Sequence, residues 1–296
     1  MGSEAGSGAD KLRKLEKVSL DTLIEAIERS WGAKTSFDPQ NWWPSNAAYK
    51  QSAVTALVVN DFFGGNILRT IATYQNGSRV SHYYNELPDK NIVDLTRIQF
   101  PEGTKFSDPE DKSRGHIMLN PLTAERYNIL KERVELRLEN SGKERARLYF
   151  AHPAADRKEL REREIDMECR LGIELLNPFY DVKCSDIIEL DPGIRKPCQG
   201  INDPNKIVMR DLEAIKSCEG LLAVIPKDRP MVGASMEIFY NSFVLGRDTY
   251  LIIEDEGLFG HPWLVKNSVA RFKNADEFMG WWEEKVHKSY VEMQNR

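Results

Sequence analysis

The chain has 296 residues and a formal net charge of -5, from 41 lysines and arginines against 46 aspartates and glutamates. That balance supplies no basic footprint for duplex nucleic acid, and no stretch approaches the roughly eighteen consecutive apolar residues of a membrane span. The length suits two domains, and the expectation is a cytoplasmic protein that uses neither cofactor nor metal. Its four cysteines, Cys169, Cys184, Cys198 and Cys218, form no C-x-x-C pair and read as reduced structural thiols.

Residues 1–17, beginning "MGSEAGSGAD", are small and polar and read as a leader or tail outside the fold. The spacing over 18–29, "VSLDTLIEAIER", predicts a helix capped by Ser19. "SAVTALVVNDFFGG" (52–65) predicts a second helix stopped by paired glycines, and "VSHYYNEL" (80–87) with "NIVDLT" (91–96) two strands. A loop is expected over 101–114, then a charged amphipathic helix over 123–140 that runs out at "SGKE". The domain boundary falls there, giving a first α+β domain at 18–140 and a second domain at 145–296.

Beyond the boundary strand and helix alternate. "ARLYFAH" (146–152), "IELLNPF" (173–179), "GLLAVIP" (220–226) and "DTYLIIED" (248–255) read as strands, with helices over 159–172, 208–218, after residue 237 and over 275–286. This order predicts a parallel sheet with helices on both faces and right-handed crossovers. Three polar features then converge on the carboxyl edge of the sheet, where ligands bind in such folds. They are the loop "AHPAADR" (151–157), Asp211 near a helix start, and Glu237 in the turn after the third strand. A lone acid at a helix start commonly serves as a cap or dipole partner. Two acids together, one nucleophilic and one handling a proton, are the minimum set for breaking a glycosidic bond with retention.

"YFAHP", "IVMRDLEAIKSCEGLLAVIP" and the G-x-x-M-E turn in "MVGASMEIFYNSFVLGR" resemble the nucleoside 2-deoxyribosyltransferase superfamily, which includes the deoxynucleoside 5'-monophosphate N-glycosidases; the resemblance covers about residues 146–286. It implies a flavodoxin- or Rossmann-like sheet, Glu237 as the nucleophile that holds a 2-deoxyribosyl intermediate, and Asp211 beside the departing base. Phe150, His152, Pro153, Met231, Gly233 and Ser235 would line the substrate site. Met231 departs from the family's polar residue, and His152 either faces the base or caps its strand end. Arg157 is a candidate anion partner. The resemblance further implies a homo-oligomer in which Asn267 or Ser268 completes a neighbour's site, with Trp263, Trp281 and Trp282 in core or interface.

In the first domain, "SWGAKTSFDPQNWWPSNAAYKQSAVTALVVNDFFGG", "SHYYNELPDKNIVDLT" and "RYNILKERV" resemble the YunG-like family over about residues 18–138. That family carries cysteine where this chain has Ser52. Gln51 and Ser52 at a helix start, then His82 and Asp94, follow the order of papain-like thiol hydrolases: oxyanion donor, nucleophile, base and orienting acid. Serine gains little from a helix dipole, so a site built for thiolate would be degenerate. The competing reading has Ser52 as a cap, His82 as a cross-strand partner and Asp94 as a turn residue. Three expectations result: N-glycosidic cleavage of a deoxynucleoside or deoxynucleotide by Glu237 and Asp211, a degenerate amidase or peptidase at Ser52, or a sensor that holds a nucleotide or NAD without turnover.

Overall fold

The computed structural model describes residues 18–142, 145–179, 203–229 and 231–294, with side chains to residue 285. The expected leader, Cys184 and Cys198 lie outside the described residues. The chain divides into two compact units, Met1–Lys143 and Glu144–Arg296. Among the described residues no helix is long and apolar enough to cross a membrane.

The first unit opens with α1 (Leu20–Glu28), where the Ser19 hydroxyl accepts from the Thr22 N–H at 3.2 Å and Leu23, Ala26 and Ile27 are buried. Next comes α2 (Ser52–Phe63), buried along Val54–Val59. Gly64 and Gly65 end it at φ of 67° and 80°. A Cβ on Gly65 would stand 2.2 Å from the Glu86 carbonyl oxygen, so glycine is required both by the turn and by the close approach. That approach sets the end of α2 beside the end of β2.

An antiparallel sheet follows: β1 (Asn66–Thr73), β2 (Arg79–Glu86), β3 (Ile92–Val93), β4 (Lys105–Phe106) and β5 (Glu110–Lys112). Its order is β3-β2-β1-β4, with β5 also on β1. β1 was not expected, and neither were β4 and β5 in what reads as a loop over 101–114. The short α3 (Arg114–Met118) leads into α4 (Pro121–Glu139), whose N-cap Asn120 accepts from the Leu122 and Thr123 N–H groups. Leu23 and Ile27 of α1, Leu57 of α2, and Leu130 and Val134 of α4 share one core.

The second unit contains β6 (Arg147–Ala151), α5 (Arg157–Leu171), β7 (Glu174–Leu176), α6 (Pro204–Lys216), β8 (Gly220–Ile225), α7 (Val232–Phe239), β9 (Asp248–Ile253), α8 (Pro262–Lys266), β10 (Ala270–Phe272) and α9 (Ala275–Gln294). A π-helical turn over Tyr240–Val244 follows α7. The five strands form a parallel sheet in the order β10-β9-β8-β6-β7. Alternate residues of each strand face opposite sides. Leu148, Phe150, Leu222, Val224 and Tyr250 pack with α5 and α9, while Tyr149, Ala151, Leu221, Ala223 and Leu251 pack with α6 and α7. Helices therefore cover both faces, as the alternation predicts.

Two positions shift against expectation. α7 begins at Val232 with Met231 at its N-cap, so Gly233, Ser235 and Glu237 are helical rather than in a turn. α6 begins at Pro204 behind the cap Asp203, which places Asp211 well inside the helix. The strand order reverses between β6 and β8, and α6 and α7 run beside that point.

Candidate functional site

Second unit first. Burial pushes the Glu237 carboxyl up to about 7; the nearby charge of Asp211 adds to this, while the Tyr149 hydrogen bond and the Arg210 charge oppose it. The Tyr149 hydroxyl, fully buried on β6, donates to Glu237 Oε1 at 2.9 Å. Burial, reinforced by the two acids, drives the Tyr149 phenol far above its usual range, so it remains a donor. Asp211 is likewise raised by burial, even though Arg210 Nε donates to its Oδ1 at 2.7 Å. The structure thus brings Glu237 and Asp211 into electrostatic contact, with Tyr149 fixing the orientation of the first.

Other expected residues serve the fold. Phe150 is fully buried in the α5-side core. His152 is 5% exposed, between the rings of Phe150 and Phe179 at 5.0 and 5.2 Å. The Asn177 amide donates to His152 Nε2 at 3.0 Å and to Glu164 Oε2 at 2.9 Å. His152 Nδ1–H then donates to the Pro153 carbonyl at 3.1 Å, and burial pushes the imidazole down to about 4. A neutral, doubly hydrogen-bonded histidine of this kind closes the strand end. Arg157 donates to the Ala154 carbonyl at 2.9 Å.

A cavity of about 630 Å³ lies beside α7, lined by Met231, Ser235, Met236, Phe239, Trp263 and Asn267 among others. Glu237 is not in that lining; its carboxylate turns toward Tyr149 instead. Asn267 accepts from Ser242 at 2.7 Å and donates to the Trp263 carbonyl at 2.8 Å, and Ser268 donates to the Leu264 carbonyl at 2.7 Å. Both side chains expected to reach a neighbouring subunit are therefore engaged within their own chain. Trp282 is buried, Trp281 packs beside Phe272, and Trp263 is exposed at the cavity.

In the first unit, His82 is fully buried on β2 and its Nε2 meets the Asp94 carboxylate oxygens at 2.9 and 2.8 Å. A carboxylate oxygen accepts, so Nε2 is the donor of this contact. Among the described residues Nδ1 is buried without a hydrogen-bond partner. Ser52 is the first residue of α2, not its cap; the N-cap is Gln51, whose side chain makes no capping bond. The Gln51 amide instead donates to the Gly32 carbonyl at 2.9 Å, fully buried. That uses one of the two N–H donors of the expected oxyanion group.

α2 and β2 run side by side, joined by Asn85 Nδ2 donating to the Ala56 carbonyl at 3.0 Å. Ser52, Ser81 and Tyr83 line a common cavity of about 440 Å³; His82, between the last two on β2, is not in that lining and packs against Phe100 and Phe106 on the other side of the strand. Lys50, just before the Gln51–Ser52 pair, holds the left-handed conformation at φ 57°.

Sequence reasoning missed Tyr149, Arg210 and Asn177. For Tyr149 the alternation in "RLYFA" was the available signal, since it puts that residue on the face of α6 and α7. Among the described residues no group of three or more His, Cys, Asp or Glu side chains is placed to hold a metal ion.

Each unit thus carries a carboxylate held by a neighbouring side chain, Glu237 by Tyr149 and Asp94 by His82. Residues 19–139 match the model of a family described as YunG protein. No curated protein matches the chain.

Proposed function

We propose that the second unit cleaves the N-glycosidic bond of a 2'-deoxynucleoside or its monophosphate through a glycosyl-Glu237 intermediate. The observation that carries this reading is the partly buried Glu237 carboxylate, oriented by the Tyr149 hydroxyl and close enough to Asp211 for their charges to interact. An oxygen of Glu237 bonds to the anomeric carbon as the carbon–nitrogen bond breaks, and the base leaves with the bonding electrons and takes a proton. The raised Asp211 carboxyl is the donor in this scheme. Positive charge building on the sugar is stabilised by the ionised Glu237. In the second half a base nitrogen or water attacks the same carbon, loses a proton and restores the carboxylate.

The 2-1-3-4-5 strand order of this unit, counted from β6, supports the flavodoxin-like reading. Met236, Phe243 and Trp263 are apolar and more than half exposed, which favours a homo-oligomer. The test is incubation with a panel of deoxynucleosides and their monophosphates, with and without an acceptor base, followed by chromatography. Wild type should release base and Glu237→Gln should not. Folded wild type that releases no base from any of them ends this reading.

A second reading is favoured by the orphaned Nδ1 of His82. In this reading Ser52 stands in the place of a thiol hydrolase's nucleophile, Asp94 orients the His82 ring, Nδ1 takes the proton, and the start of α2 faces the oxyanion. Ser52→Cys should gain iodoacetamide reactivity that a further His82→Ala change removes; equal reactivity of the two variants would sink it.

A further inference from the structure

The cavity beside Ser52 has a charge pattern that neither mechanism above uses. Its described lining holds Lys50, His116 and Arg126 and no carboxylate, in a chain whose formal charge is -5. Arg126 directs its guanidinium at neutral acceptors: the Leu122 carbonyl at 3.0 Å, Thr123 Oγ1 at 3.0 Å and the Thr35 carbonyl at 3.4 Å. Three of its five N–H donors are thereby used. Its guanidinium carbon is 5.3 Å from the Phe37 ring centre, which sets the fork at the cavity wall.

Lys50 is half-buried, and among the described residues its ammonium contacts no hydrogen-bond acceptor, only the Tyr49 ring at 5.8 Å. Burial pushes that ammonium below the usual lysine range, with the charge of Asp38 pulling the other way. Two partly desolvated cations with no hydrogen-bonded acid among the described residues, Asp38 acting on Lys50 through its charge alone, are stabilised when something anionic completes them.

The backbone supplies an independent sign. At φ 57° Lys50 occupies a region that glycine or asparagine fills with less strain. Its N–H donates to Gln99 Oε1 at 2.9 Å and its carbonyl accepts from the Phe37 N–H at 3.0 Å, so both sides of the peptide are clamped. A lysine is thus held at a strained position by its surroundings, and it lines the cavity that Ser52 lines. The volume of about 440 Å³ admits a small molecule rather than a folded segment.

We propose that this cavity binds a small organic molecule through a carboxylate or phosphate group held by Lys50 and Arg126, with its apolar body against Phe37 and Tyr83 and its remaining end at Ser52. As a substrate class it rests on the second reading above; as a binding site it does not. The full chain is titrated by calorimetry with glutarate, phenyl phosphate and the neutral glutaramide. Glutarate or phenyl phosphate should bind at least tenfold more tightly than glutaramide, and the stronger of the two anions identifies the group.

Lys50→Gly removes the ammonium while suiting the left-handed backbone. It should weaken binding at least tenfold and leave Tm unchanged or raised. Arg126→Gln should weaken binding similarly; because Arg126 also braces the first turn of α4, Lys50→Gly is the deciding variant if Arg126→Gln does not fold. The proposal is overturned if no anion binds, if glutaramide binds equally well, or if Lys50→Gly leaves the affinity unchanged. Binding is read without turnover, so a Ser52→Cys variant that stays unreactive sinks the hydrolase reading alone.

Discussion

Glu237 and Asp94 are both carboxylates held by a single neighbouring side chain, and the two units treat them in opposite ways. Asp94 gives both oxygens to His82 Nε2, at 2.8 and 2.9 Å, so both are engaged by one ring nitrogen. Glu237 receives one neutral hydroxyl and has a second acid close by. A compensated carboxylate orients; an uncompensated one is poised to change protonation or to react. The same contrast separates His82 from His152. His152 has both nitrogens hydrogen-bonded, while His82 has one nitrogen on Asp94 and the other without a partner among the described residues.

The sharpest way to break the comparison is Glu237→Gln, which keeps the shape and removes the nucleophile. Base release should fall by roughly 10³-fold or more, with Asp94→Asn leaving it unchanged; parity of the two variants in a chromatographic assay would erase the distinction. Next in size is the thiol test in the first unit. Alkylation of Ser52→Cys should exceed that of Ser52→Cys/His82→Ala by about tenfold to a hundredfold through thiolate formation. Cys169 and Cys218 are 1% and 3% exposed, and burial pushes the Cys218 thiol up to about 11, so both should stay silent.

A smaller effect sharpens the role of Tyr149. Because its hydrogen bond favours ionised Glu237, Tyr149→Phe should move the acidic limb of the kcat/KM profile upward from about 7 and lower activity at neutral pH by on the order of tenfold. Glu237 must be ionised to attack, so wild-type activity should rise as pH climbs through that value.

The smallest effect concerns stability. The folded value of Glu237 lies above the ordinary 4.5, so the fold favours the protonated form. Its stabilising contribution is complete below about pH 4.5 and is lost as pH rises through about 7. Glu237→Gln should therefore match wild type near pH 4 and exceed it by about 1–3 kcal/mol at pH 8, read as a Tm difference of a few degrees. A variant less stable than wild type at pH 8 would show that the ionised carboxylate is better compensated than its surroundings suggest.

Much of the second unit was readable in advance because parallel strands buried on both faces leave continuous apolar runs. "RLYFA" and "GLLAVI" are such runs, and both are strands. β10 was not readable, since a three-residue edge strand carries too little pattern. β1 was hidden by Arg69 and its threonines, which suit a sheet face but interrupt an apolar alternation. The start of α6 was legible in principle, as Asp203 followed by Pro204 is a cap and first-turn signature.

Sequence by itself determined the order strand, helix, strand after residue 145, the glycine stop of α2, and the residue types at 52, 82, 94, 211 and 237. These are local properties, written in periodicity and in the chemistry of single side chains. Only the tertiary structure decided that Tyr149 holds Glu237, that Gln51 gives its amide to Gly32, that Asn267 bonds inward, and that Lys50 and Arg126 share one cavity wall with Ser52. Each of those depends on residues 19 or more positions apart meeting in space, and the register that brings them together is set by packing across elements rather than within any one of them.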